Sequence, residues 1–508
     1  MAVNSTHPLY ADLLPVWQVL RDCYVGERAI KTKTHIYLKP TPGMVLDGYY
    51  TGNQDALAAY DGYMSRANFP DFFTIGVQTL VGILNSKEPE IELPPQLEYL
   101  RKEATLTKEG LPAVLRKIQE EQLVSGRVGL LADLPVNPDQ LAPKQYISLW
   151  QAEKILNWDD GSFNQGFNKL NLVVLDESGQ SRVSEFEWHE VKKYRVLSLG
   201  AVGPNEPMGT YRSGTSSETA SEAVAFTNPT LKGQTLDEIP FVFCGPKDIA
   251  IDPDSSPLES LANLCLSIYR LDADYRHCLF MQGQDTLVVI GGVSKNAEGE
   301  ALRVGAGARI DVDVGGDAKY IGVESQGLSE LRQALDTDKQ LAAVRTGQLL
   351  QPGKMSMESG EALKTRVAGQ TATLTSIAIT SASALEQLLR VMAVWQGGDP
   401  SLVKVKPNLE FTNVSVKGQD LVQIQTARSI GFPLSAESVH QLAVEHGLTT
   451  KTYDEELALI KKEDPILRER AAEVAASGKS LTGNNPQAAA GGPAKSVKGE
   501  GAKSNAQT

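Results

Sequence analysis

Between Pro257 and Gly283 the chain carries a single helical pattern, PLESLANLCLSIYRLDADYRHCLFMQG, and this stretch constrains the fold more than any other. Proline presets the backbone for a first helical turn, and Leu258, Leu261, Cys265, Ile268, Leu271, Tyr275 and Cys278 then recur by three or four. At 1.5 Å per residue, about 24 residues make a rod of roughly 36 Å. Thr286 to Ile290 (TLVVI), Arg309 to Val314 (RIDVDV) and Lys319 to Val323 (KYIGV) read as short strands joined by glycine-rich turns. A second helix over Leu328 to Leu350 can bring the chain back. The pattern therefore predicts a protruding hairpin, two rods with a small β tip.

What precedes the hairpin changes period. Leu13 to Tyr24 and the stretch Ala56 to Leu84 repeat as helices, the latter broken at Asn68 and Pro70. From Gly126 the runs are strand-like: Arg127–Leu134, Gln145–Leu149, Leu170–Asp176, Val183–His189, Tyr194–Ser198 and Ile239–Cys244. Gly203 to Gly233, rich in Ser, Thr and Gly, reads as a loop or insertion. A mixed α+β fold follows. After the hairpin, Pro352 to Gly360 (PGKMSMESG) has loop composition, and Glu361 to Gln396 is one long helical pattern with a stripe from Leu363 to Trp395. Its other faces are dominated by Ala, Thr, Ser and Gly, and small side chains let backbones approach, so Ala378 and Ala382 are candidates for close packing within or between subunits. Asn408–Thr412 reads as a strand, Asp420–Ile430 and Ser435–His446 as helices, and the composition from Ala476 onward is that of a disordered tail.

The sequence offers little chemistry. With 508 residues, two to four structural units are expected. A net charge of −13 argues against a surface that grips nucleic acid throughout. Cys23, Cys244, Cys265 and Cys278 lack C-x-x-C spacing, so reduced thiols are expected and neither zinc nor a disulfide framework is. The N-terminus lacks the pattern of a signal peptide, and no 18 apolar residues run together, so neither secretion nor a membrane span is expected. Gly478-Lys479-Ser480 lacks the preceding strand and glycine of a phosphate loop, and Gly305-Ala306-Gly307 lacks the third glycine of a dinucleotide fingerprint. The six histidines include no zinc-binding pair on one helical face, and His277 next to Cys278 points elsewhere on a helix. Asp159-Asp160 suits a turn, and Asp311 with Asp313 suits a solvated strand face. No catalytic role, cofactor or metal is assigned, and a hydrolase would need a clustered site that the sequence does not display.

Several strings, in order, carry a resemblance. They are Trp17, Arg21-Asp22, Gly26 and Tyr37-Leu38 before Pro40; YDGYMSRANFPDFF and LVGILNSKEPEIELP; SGRVGLLADLP at 125–135 and YISLWQAEKILNW at 146–158; IPFV at 239–242; SSPLESLANLCLSIYRLDADY from Ser255; and ESGEAL at 358–363. Together they resemble the portal proteins of tailed bacteriophages, in a branch catalogued as a domain of unknown function. The family pattern is altered at YLKP, and residues 204–233 have no counterpart in it.

The resemblance implies a portal fold: a wing over 1–256, stem helices at 257–282 and 326–351 carrying a β-rich clip at 283–325, a tunnel loop at 352–362, a long helix returning to the wing over 363–412, and a helical crown within 413–475. It implies Lys354, Glu358 and Glu361 at the narrowest part of a tunnel. It further implies a ring, twelve subunits in the virion, assembled in the host bacterial cytoplasm at one capsid vertex. Its partners would be a terminase motor, the major capsid and scaffolding proteins and tail adaptor proteins, with double-stranded DNA as translocated cargo. Another head-tail adaptor ring is the alternative, which the chain's length disfavours.

Overall fold

The computed structural model describes residues 3–135, 144–159, 170–200, 209–217, 224–282, 286–290, 315–321, 326–346, 360–411, 426, 435–445 and 449–460. The chain divides into two units, Met1–Phe411 and Thr412–Thr508.

The first unit opens with helices whose ends are chemically set. In α1 (Pro8–Val25) the His7 Nδ1 accepts the Leu9 N–H at 3.2 Å and proline sits at the first helical position. Gly26, at a φ of 92°, lets the chain turn into α2 (Glu27–Thr32). After α3 (Pro42–Leu46) come α4 (Gln54–Arg66) and α5 (Phe72–Leu84), the predicted pair separated around Asn68 and Pro70. Helix α6 (Leu111–Val124) has no predicted counterpart. Two of its buried positions are Gln119 and Gln122, which break the apolar stripe by which a core helix is recognised.

Among the described residues all of the sheet pairings are antiparallel. One three-stranded sheet orders β11 (Phe241–Cys244), β2 (Val128–Asp133) and β3 (Tyr146–Gln151). A five-stranded sheet orders β10 (Ala225–Thr227), β9 (Tyr211–Ser217), β8 (Lys193–Leu199), β5 (Leu172–Asp176) and β4 (Ile155–Asp159). Strands β9 and β10 correct the expectation of a loop across 203–233. Their Ser/Thr-rich sequence hides the period, but β9 pairs along its whole length with β8 and buries Tyr211 edge-on to Trp395. The run Val183–His189 is likewise corrected: it holds the turn between β6 (Gly179–Arg182) and β7 (Trp188–Val191), closed by Arg182 Nε donating to the Ser184 and Glu185 carbonyls at 3.1 Å each. Near the end of the unit the strand is β14 (Lys404–Lys406), not Asn408–Thr412. It pairs with β1 (Glu90–Glu92) through opposite Glu and Lys residues, whereas Asn408 Oδ1 accepts the Glu410 N–H and turns the backbone.

The hairpin is present as α7 (Glu259–Gln282), paired β12 (Thr286–Ile290) and β13 (Asp317–Ile321), and α8 (Gln326–Arg345). Next comes α9 (Gly360–Trp395), 36 residues or roughly 54 Å at 1.5 Å per residue. In the second unit α10 (Ala436–Glu445) begins where predicted, with Ser435 Oγ accepting the Ser438 N–H at 3.0 Å. The predicted strand Arg309–Val314, the loop at 352–359, the helix Asp420–Ile430 apart from Thr426, and the tail from 476 lie outside the described residues.

Among the described residues three apolar clusters make up the core, and α9 takes part in each. Leu374, Ile377 and Ala378 join the cluster of α1, α4, α5 and α7; Ala382, Leu385, Leu388, Leu389 and Met392 join that of α6, β2 and β11; Val391 and Trp395 join that of the five-stranded sheet. Leu388 is fully buried in the middle cluster. Leu388→Ala should cost about 2–5 kcal/mol of stability, read as a lower midpoint in chemical denaturation.

Candidate functional site

The hairpin leaves the core part-way along its first rod. In α7 the buried positions run Leu258, Leu261, Ala262, Cys265, Leu266, Ile268, Tyr269, Asp272 and Ala273, and none follows among the described side chains to Met281. Leu279, Phe280 and Met281 are exposed. Helix α8 touches the core along a narrow seam, Leu335 and Ala342, with Thr346 just beyond its end. The far end of α7 and most of α8 therefore stand in solvent in a single chain.

Strings far apart in sequence meet at the root of the rods. Asp272 is almost fully buried, accepts the Asn68 N–H at 2.9 Å and pairs with Arg276 at 2.6 Å. Two residues on, the Asp274 carboxylate accepts the Tyr63 hydroxyl at 2.6 Å. His277 sits edge-on to Tyr63, with a ring nitrogen 3.4 Å from Arg66 Nη2, and burial followed by the Arg66 charge lowers its pKa. The YDGYMSRANFP and LDADY strings thus form one contact that holds α7 against α4.

A second contact joins SGRVG to SSPLES. Gly126 has a φ of 77°, and a Cβ there would lie 2.6 Å from the Asp254 carbonyl oxygen and 2.7 Å from the backbone of Ser255 and Ser256. No other residue fits that approach without backbone movement. Ser256 Oγ donates to the Leu123 carbonyl and accepts the Leu258 N–H, tying the end of α6 to the start of α7. Arg127 lies between the rings of Trp158 and Phe243, at 3.9 and 4.2 Å, and donates to the Ile251 carbonyl. Burial brings its pKa down to about 9, which leaves it charged at neutral pH. Arg21 bridges Glu121 and Glu153, and the Tyr37 hydroxyl donates to Asp22.

The small-residue face of α9 packs inside its own chain. Gln122 Nε2 donates to Thr380 Oγ1 at 2.8 Å and to the Gly245 carbonyl at 2.7 Å; Gln119 reaches Ser381 Oγ; and Ser376 Oγ donates to the Pro246 carbonyl. Ala378 and Ala382 are 1% and 2% exposed. Bulk at either would overfill the chain's own core. The 371–395 stretch has the length and hydropathy of a membrane span, yet 67% of its most apolar window is buried in the protein. Sequence reasoning missed Gln119 and Gln122, because polar residues carry no core signal until their partners are known.

Of the tunnel candidates, Lys354 and Glu358 lie outside the described residues, and Glu361 falls in the first turn of α9. Among the described residues no three His, Cys, Asp or Glu side chains group as metal ligands. All four cysteines are free thiols, and burial pushes Cys265 up to about 12.

Residues 257–396 match the family model described as a domain of unknown function (DUF4055). That span takes in the hairpin and α9. No curated protein matches the chain. Among solved structures, the chain is similar to one from the virion of a native gene transfer agent particle, at 14% identity with 79% of this chain and 95% of that one covered and a TM-score of 0.37. It is also similar to chains from the neck of the empty particle computed with C6 symmetry (14% identity, 74% and 89% covered, TM-score 0.35) and from the neck of the native particle computed with C12 symmetry (14%, 74% and 90%, 0.33). Likenesses at that level add nothing to what the chain's own geometry supports.

Two outcomes follow. Ala382→Leu should lower the stability of the isolated chain by about 1–3 kcal/mol through overpacking, measured by denaturation under conditions where the chain is monomeric. His7 and His277 both have pKa values below the ordinary 6.5, from burial first and then from Arg127 and Arg66 respectively. The unfolded chain therefore binds protons that the folded one refuses, and stability falls as pH drops below about 6.5. Thermal melts at pH 7.5 and 5.5 should show that loss, and His277→Gln should reduce it.

Proposed function

We propose that this chain is a portal subunit: copies close into a ring at one capsid vertex, and double-stranded DNA is packaged, retained and ejected through the hole. The observation that carries the reading is the order of elements after Pro257. A rod leaves the core half-way along, a β pair joins it to a returning rod, and a 36-residue helix follows that re-enters the core. A far end of α7 and a returning rod so lightly covered in one chain suit a protein whose neighbours complete the burial. The resemblance in the strings that build the hairpin root supports the same reading. In it the chain is not an enzyme, a separate terminase supplies the work, and capsid, scaffolding and tail adaptor proteins bind the ring.

The electrostatics suit a wall that DNA slides past. On α7 and α8 the acids Glu259, Asp272, Asp274, Glu330, Asp336 and Asp338 are balanced by Arg270, Arg276, Arg332, Lys339 and Arg345. Duplex DNA presents one charge per about 1.7 Å, so a rod of roughly 36 Å passes about 20 phosphates. Matching them with cations would release counterions and hold the DNA in place, whereas a near-neutral wall leaves it free to move. In this reading residues 352–362 reach the lumen, with Lys354, Glu358 and Glu361 nearest the DNA.

Negative-stain images of the purified protein should show end-on rings with a central hole; compact particles without one would refute the ring. Deleting 354–359 should leave the rings intact and reduce DNA packaging or retention. Normal phage yield from that deletion would remove the tunnel assignment alone.

A further inference from the structure

The ribbon β6–β7 belongs to neither large sheet, and all eight of its strand residues are exposed. Its turn and second strand carry large apolar side chains in water: Phe186 is 88% exposed, Val183 59%, Trp188 58% and Val191 41%. A two-stranded ribbon is marginal by itself, and a cluster of exposed aromatics marks a surface that something covers. Glu185, Glu187 and Glu190 flank the aromatics, with Glu187 2.8 Å from His189 Nε2, while Arg182 is occupied in closing the turn. The tip is thus aromatic with an acidic border.

A surface of opposite character lies elsewhere on the same unit. A cleft of about 450 Å³ has buried Leu38, Pro40 and Tyr63 in its lining, with Lys39, Pro42 and Arg270 exposed around it. Its one acid, Asp274, already accepts the Tyr63 hydroxyl, and Arg270 Nε is held by the Tyr37 carbonyl. Beside the cleft, along α3 and the turn after it, Leu46 is 88% exposed and Tyr50 65%. Proline and tyrosine walls accept an aromatic ring, and Lys39 and Arg270 complement the three glutamates.

We infer that the β6–β7 tip of one copy docks in the Leu38–Pro42 cleft of a second copy, with Phe186 and Trp188 as the apolar anchors. Tip and cleft are different surfaces of one chain, so the contact is head to tail, the kind that closes into a ring when the rotation allows. The inference rests on the ring reading and specifies one of its subunit contacts.

A carbodiimide cross-link tests it. In rings assembled from equal amounts of ¹⁴N- and ¹⁵N-labelled protein, Glu185 or Glu187 should become joined to Lys39, with half of the linked peptide pairs carrying mixed labels. Lys39→Arg should abolish the link while rings persist. Phe186→Ser, at a position too exposed to affect folding, should weaken assembly about tenfold or more, and Phe186→Leu much less. Rings that form without the cross-link, that show it only between peptides of like label, or that assemble equally well with Phe186→Ser overturn the contact and leave the ring standing. A wild-type chain that stays monomeric overturns the ring and this contact together.

Discussion

The structure of the first unit depends on α9 running through three separate cores. Each cluster alone is a modest assembly of helices or of helix and sheet; α1, α6, β2 and β11 each join two of them, and α9 is the helix that enters all three among the described residues. Close approach is what makes this possible. Ala378, Ser381, Ala382 and Ala384 let α6 and β11 come near the helix backbone, and Gln119 and Gln122 supply the hydrogen bonds that buried hydroxyls require. Larger residues on that face would separate the clusters, and apolar residues in place of the two glutamines would leave Thr380 and Ser381 to bond only their own backbone.

The same rigidity bears on function. A rod that projects from a body is useful only if its root does not bend. The root of α7 is fixed on one side by Asp272 and Asp274 against the α4–α5 corner, and at its start by Ser256 and Gly126 against the end of α6. Helix α9 packs on α6, so the rods and the core helix share a support. In the portal reading, load on the rods would reach the wing through these few contacts.

Much of this was legible in sequence because it was written in helical period. The hairpin, α9, the α4–α5 break and the Ser435 cap all follow from apolar spacing, proline and capping residues. The failures have physical causes as well. The β9 strand is Ser- and Thr-rich, and its membership of the sheet comes from backbone pairing with β8. The α6 helix spends two core positions on glutamines whose partners lie more than 250 residues away in α9. Val183–His189 has the residue types of a strand, but Arg182 closes a turn there. Of the site, the hairpin root was visible only as separate strings, since nothing in one sequence says that Asn68 and Asp272 will touch. Ala378 and Ala382 were recognised as packing residues, and their partners within the chain were not.

The central claim is that the surfaces of the hairpin left exposed in one chain, the far end of α7 and most of α8, are covered by neighbours around an axial hole. The mass of the assembled species under native conditions tests it most directly. The account predicts one discrete species at an integer multiple of 54.9 kDa, large enough to enclose a duplex and unchanged over a wide range of concentration. A chain that remains at 54.9 kDa throughout, or a continuous ladder of open oligomers, would contradict it.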